Sequence, residues 1–174
     1  MIRKPAIAAI FGFLAVAASL AVTLSPRQTG PTIDGRIQKG EYEELTTLNG
    51  ITFGAALARD GILSLAISAP ASGWVAIGLG TGIMDGSWIV MAYESGGKQA
   101  FSEQRGISHF HQPIKDTRLV AREVRTVGGR TTLEFQVRLA DFEKKGRLPV
   151  ILAYGRHADF RSYHEAHATT VLNF

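Results

Sequence analysis

Val127-Gly128-Gly129-Arg130-Thr131-Thr132-Leu133-Glu134-Phe135-Gln136-Val137-Arg138 is the stretch that decides the fold. Leu133, Phe135 and Val137 fall on one side of a period of two, and Thr132, Glu134, Gln136 and Arg138 fall on the other, which is the pattern of a strand with one apolar face. Val127-Gly128-Gly129-Arg130 supplies a hairpin turn ahead of it, and Arg118 to Thr126 is the β-prone run that the turn joins to it. Working outward, further short runs are Ile51 to Leu57, Ile62 to Ala69, Trp74 to Leu79, Ser87 to Tyr93, Gln99 to Gln104, Leu148 to Tyr154 and Thr169 to Leu172. Glycine, asparagine and proline punctuate them, and none sustains a helical period. About nine strands spaced in this way predict an all-β fold, an antiparallel β-sandwich. Leu139-Ala140-Asp141-Phe142 reads as a short helical turn or bend and not as a strand, because Asp141 and the Lys144-Lys145-Gly146 cluster break the alternation.

The chain has 174 residues, 45% of them hydrophobic and 20% charged, which suits one domain with a real core. It contains no cysteine, so disulfides, thiolate metal sites, iron–sulfur clusters, covalent haem attachment and cysteine nucleophiles are excluded. The formal charge is +4, but setting aside Arg3 and Lys4 leaves 17 basic against 15 acidic residues. So balanced a body does not predict a nucleic-acid-binding surface.

Met1 to Lys4 is a short basic start, and Pro5 to Leu24 is apolar apart from Ser19 and Thr23. The segment 1–24 therefore reads as an N-terminal hydrophobic helix, either a cleavable export signal or an uncleaved membrane anchor. Small-residue sites at Ala15-Val16-Ala17 and Ser19-Leu20-Ala21 suit cleavage. Arg3 and Lys4 put the start on the cytoplasmic side, so the body is expected outside, periplasmic or otherwise extracytoplasmic, secreted or tethered. Ser25 to Thr32, with two prolines and a glycine, reads as a tether, and 33–174 as the domain.

Two regions concentrate chemistry. Gly73-Trp74-Val75-Ala76-Ile77-Gly78-Leu79 leads into a glycine-rich loop that carries Met84, whose thioether is a soft donor. With a histidine it could fill both axial positions of a haem iron; as flexible apolar filler it would close one end of the sandwich. Tyr154 to His167 joins the last two strands and holds His157, His164 and His167. These are imidazole donors for a metal or ordinary loop histidines. Arg156 and Arg161 suit haem propionates, or surface pairs with Glu165 and Asp159. His109 and His111 lie two apart and could be half of a metal site, but with Pro113 following and no third ligand nearby they read as a solvated loop. No phosphate loop, nucleophile elbow or zinc-protease helix motif occurs.

Ile33-Asp34-Gly35-Arg36-Ile37 with Gly40-Glu41-Tyr42, the Gly73-to-Leu79 strand, Met84-Asp85-Gly86, Ala153-Tyr154-Gly155 and Tyr163-His164 together resemble the DOMON family over Ile33 to Phe174. The resemblance is to its small bacterial members and to its haem-b-binding branch, which includes the cytochrome domain of cellobiose dehydrogenase. It implies a β-sandwich with non-covalent haem b, held axially by Met84 and His164, with His167 the next choice and His157 the third. Trp74, Ile77, Ile83, Trp88 and Tyr154 are expected to line an apolar slot, and Arg161 to meet the propionates.

The function expected is that of an exported b-type cytochrome domain. It would pass single electrons to or from a membrane cytochrome or a periplasmic redox protein. The alternative is a haem-free module that stacks a sugar or other small-molecule ligand on Trp74, Trp88 and Tyr154. An enzyme is not expected, because no nucleophile with a positioned base and no carboxylate pair stands out.

Overall fold

The computed structural model describes residues 21–174. The basic start and the apolar run up to residue 20, read as a signal or anchor helix, lie outside the described residues. Among the described residues no helix is long and apolar enough to cross a membrane.

The described residues form twelve strands in order: β1 (Ala21–Thr23), β2 (Glu44–Leu48), β3 (Ile51–Leu57), β4 (Ile62–Ala69), β5 (Val75–Leu79), β6 (Trp88–Ser95), β7 (Lys98–Ile107), β8 (Phe110–Pro113), β9 (Leu119–Val127), β10 (Arg130–Arg138), β11 (Arg147–Tyr154) and β12 (Ala166–Asn173). One sheet has the order β1-β12-β11-β5-β6-β7-β8, the other β2-β3-β4-β10-β9. All pairings between strands are antiparallel except that of β1 with β12, which is parallel.

The expected sandwich is present, with three strands beyond the nine predicted. β1 ends the apolar run read as a helix, β2 is a short edge strand, and β8 runs through the histidine pair into Pro113, the segment read as a loop. All three are short, and strands of three to five residues are too brief for a period of two to declare itself. The β9–β10 turn has φ of 59° and 77° at Gly128 and Gly129, as a type I′ hairpin requires. Leu139–Asp141 is a single 3-10 turn, as expected.

Residues 25–32, read as a tether, lie against the sandwich. Leu24 is buried in the core, the Arg27 N–H donates to the Leu57 carbonyl (2.7 Å), and the Arg59 N–H donates to the Arg27 carbonyl (2.8 Å). Composition announced a linker, and backbone pairing at one residue made it part of the body.

The main core lies between the sheets. Phe53, Leu65, Ile67, Leu133, Phe135 and Val137 face Ile77, Leu79, Val90, Val150, Leu152 and Leu172. The alternation in β10 is obeyed, and each such side chain contributes about 1.5–3 kcal/mol by leaving water. Glu134 is the exception to the polar-outward expectation: it points away from the core yet is fully buried. Its carboxylate accepts from the Tyr42 hydroxyl (2.6 Å) and from the N–H groups of Asp34 (3.1 Å), Gly35 (2.7 Å) and Arg36 (3.0 Å). Burial pushes the Glu134 carboxyl up, while these four donors pull it down; burial and the same partnership push the Tyr42 hydroxyl up.

Candidate functional site

Directly opposed residues of neighbouring strands share a face. On the outward face of the seven-stranded sheet one row therefore reads His167, Ala153, Ala76, Met91, Ser102, and the next Thr169, Ile151, Gly78, Ile89, Gln104. Trp74, Ala76, Ile89 and Met91 form a second apolar cluster there, with Met84, Tyr93, Ala153 and Phe160 packed against it. Ala76 and Ala153 are the small residues at the middle of this face, and Gly78 lies beneath the Ile151 and Ile89 side chains.

Met84 reaches this face because the loop after β5 folds back over it. The Ser87 N–H donates to the Met84 carbonyl (3.1 Å), the Gly86 N–H to the Gly106 carbonyl (3.0 Å), and the Gly106 N–H to the Ser87 carbonyl (2.9 Å). The Asp85 carboxylate accepts from the Ser108 N–H (2.7 Å). Met84 itself is half-buried, and Ile83 beside it points to solvent.

The segment between β11 and β12 is fastened at both ends. Trp74 is 4% exposed, and its indole N–H donates to the Ser162 hydroxyl (2.9 Å). The Trp74 backbone N–H donates to the His157 carbonyl (3.2 Å), and the Phe160 and Tyr93 rings lie 4.9 Å apart. One Asp159 carboxylate oxygen accepts from the N–H groups of Arg161 (2.7 Å) and Ser162 (2.6 Å), and these bonds hold its carboxyl below the usual range. Past His164, the Glu165 N–H donates to the Tyr154 carbonyl (2.8 Å) and its side chain pairs with Arg156 (2.8 Å). His164, held between these fastenings, is exposed, and its ring lies 5.1 Å from that of His167.

Met84 thus lies over β6 and β7, and the His164–His167 pair over β12, on one face of one sheet. β11 and β5, with Ala153 and Ala76 side by side, run between them. From β12 to β6 is three strand spacings, about 14 Å. His157 is exposed and further along the same loop, and Arg161 is exposed with its guanidinium in no ion pair among the described residues.

Other expected residues are not brought together with these. Trp88, Ile77 and Tyr154 project to the opposite face, into the inter-sheet core or its margin. Trp88 packs on Phe142 (4.9 Å) and Phe135 (6.1 Å). Trp74 and Trp88 lie on opposite sides of the sheet, a relation that neither residue's own neighbours declare. His111, on β8, contacts the Gln104 side chain, and burial pushes its imidazole down. Its register partner is Gly106, the residue under Met84 that sequence reasoning passed over. A glycine inside a strand is the available signal for such a close approach.

Among the described residues no group of three or more histidine, aspartate or glutamate side chains gathers as a metal-ion site. A groove of about 510 Å³ opens between β7–β8 and β9, lined by Phe101, Glu103, Lys115, Thr117 and Arg122 among others. It holds neither methionine nor histidine, so it offers no donor pair for iron.

No family model matches the chain, and no curated protein matches it. The fold is similar to that of the cytochrome b domain of pyranose dehydrogenase from Coprinopsis cinerea, with a TM-score of 0.55 at 14% identity over 71% of this chain and 76% of that one. The cytochrome domain of Myriococcum thermophilum cellobiose dehydrogenase aligns over 71% and 75% of the two chains at 18% identity, with a TM-score of 0.49. The structural neighbours are thus cytochrome b domains, and what is shared at these identities is the fold.

Proposed function

We propose that the outward face of the seven-stranded sheet holds non-covalent haem b, with Met84 and His164 as its axial ligands, and that the protein is an exported one-electron carrier. The observation that carries this reading is the common face: a thioether and an imidazole stand on either side of β5 and β11, where Ala76 and Ala153 carry only methyl groups. The donor set fits the group, because thioether and neutral imidazole are both established haem ligands. The likeness of the fold to a cytochrome b domain supports the same reading.

When bound, haem supplies reversible one-electron oxidation and reduction. The chain's own residues set the conditions. Met84 and His164 would hold the iron, and with both donors engaged no place would remain for oxygen or substrate, which favours electron transfer over catalysis. The weak thioether donor raises the potential relative to a second imidazole. Trp74 and Phe160, packed at one end of this face, exclude water, and Arg161 is free to pair with a propionate. His167 flanks His164 and is the second choice of ligand. Trp88 and Tyr154 support the sheet from its other side. The partner is a membrane cytochrome or a periplasmic redox protein, and export rests on the basic start and apolar run of the sequence.

The binding-module alternative has less support, since Trp74 and Trp88 are 4% and 6% exposed and Tyr154, half-buried, packs against the inter-sheet core. The test is a hemin titration of the purified full chain with spectra before and after dithionite. A low-spin Soret band that shifts on reduction is expected, with Met84→Ala and His164→Ala each losing the low-spin form and His167→Ala keeping it. Refusal of hemin, or an unchanged low-spin spectrum in Met84→Ala, overturns the reading.

A further inference from the structure

We infer that Gly106 is the seat that fixes the height of Met84 above the sheet, and that Asp85 latches the loop onto that seat. The inference deepens the proposed function and rests on it for its consequence, although the seat itself concerns only this chain's own packing.

A Cβ built on Gly106 would run into the Met84 carbonyl oxygen and stand 2.6 Å from its carbonyl carbon and 3.2 Å from its Cγ. The first two are backbone atoms, which cannot swing aside as the tip of a side chain can. Any other residue at 106 must therefore push the whole turn outward. The turn is held down by a reciprocal pair of backbone bonds, Gly86 N–H to Gly106 carbonyl and Gly106 N–H to Ser87 carbonyl. The Asp85 carboxylate adds a third tie by accepting from the Ser108 N–H, in the β7–β8 turn. That bond is charge-assisted, so it is stronger than its neutral counterparts. The residues that follow Met84 are thus clamped to one short stretch, 106–108, and the Met84 side chain is carried to a fixed place against the cluster of Trp74, Ala76, Ile89 and Met91.

The consequence is geometric. An axial ligand must meet iron at a defined distance, and a displaced turn would withdraw the sulfur while leaving the sandwich intact. Gly106 and Asp85 are positioning residues: neither supplies a donor atom to the iron.

The test labels the methionine methyl groups with carbon-13 in the full chain without haem, and adds hemin in a second step. The sequence has only Met1, Met84 and Met91, so assignment needs two variants, Met84→Leu and Met91→Leu. In Gly106→Ala the Met84 methyl signal is expected to move or broaden while that of Met91 stays. Asp85→Ala adds no atom and removes one acceptor, so it keeps the test decisive if Gly106→Ala fails to fold; the same signal should move by a smaller amount. On hemin titration both variants should lose at least tenfold in affinity or shift toward high spin. An unmoved Met84 signal in the folded variants, or equal movement of Met91, overturns the seat. If the unaltered chain takes up no hemin while the Met84 signal still responds, the cytochrome reading falls and the seat stands.

Discussion

The two sheets each present small residues on their outward face, and the chain treats the two patches differently. On the five-stranded sheet Gly54 and Ala66 stand in one row with Glu134, and the segment from Asp34 to Tyr42 is laid over them. Its Tyr42 ring rests on Gly54, and its backbone N–H groups close around the Glu134 carboxylate. On the seven-stranded sheet Ala153 and Ala76 are the comparable small residues, with Gly78 under the Ile151 side chain, and what borders them is a thioether on one side and two imidazoles on the other. A patch filled by the chain itself is a packing device. The other is flanked by donor atoms and keeps Ala153 and Ile151 half-buried, and it is the face to which the proposed cofactor is assigned.

The largest effect belongs to the covered face. Glu134→Ala strips an acceptor from four donors, three of them backbone N–H groups and one the buried Tyr42 hydroxyl. Losses from buried donors left without partners predict about 3–5 kcal/mol of destabilisation. Urea unfolding measures it, and hemin affinity at 25 °C should not change if the two faces are independent.

The same small insertion on each face gives the next contrast. In Gly54→Ala the new Cβ meets the Tyr42 ring at 2.9 Å, and overpacking of that kind costs about 1–3 kcal/mol. Hemin affinity should stay as it was. Ala153→Leu fills the other patch instead; stability should stay within about 1 kcal/mol of the unaltered chain while hemin affinity falls about tenfold or more. Equal behaviour of the two variants in both measurements would erase the distinction between the faces. A smaller contrast sharpens it within one sheet: Trp74→Phe, which loses the bond to Ser162, should weaken hemin binding severalfold, whereas Trp88→Phe should leave it alone.

How much of this was legible beforehand depends on the range of the cause. Leu133, Phe135 and Val137 announce their shared face because strand period is local, and Gly128-Gly129 announces its turn for the same reason. Met84 and His164 were singled out by donor chemistry and by resemblance, each within its own loop, and the fold sets the two loops on one face of one sheet. The side on which Trp88 lies was not legible, because it depends on pairing with Leu79 of β5, a partner on the far side of the glycine-rich loop that no local pattern states. Glu134 looked solvated because alternation reports direction and not cover; the segment that buries it lies far earlier in the chain, at Asp34 to Tyr42. Arg27 read as linker for the opposite reason, since prolines nearby do not forbid one well-placed bridge to Ala58.

The smallest predicted effect tests whether the loop carrying His164 is organised by charge. Asp159 accepts two backbone N–H bonds, from Arg161 and Ser162, and these, with the charge of His157 as a lesser contributor, hold its carboxyl below the ordinary aspartate range. A carboxyl lowered in the folded state adds order above its unfolded value and gives it up as the pH falls through the lowered one. Amides of residues 159–164 should therefore stay protected near neutrality and lose protection only in acid below the usual aspartate range. Asp159→Asn keeps an acceptor but no charge, so it should show weaker protection at neutral pH and no such acid step. Because the group is exposed, global stability should hardly respond. Protection that falls equally in Glu134's neighbours over the same pH range would mean that acid loosens the whole sandwich, and that the two faces do not respond separately.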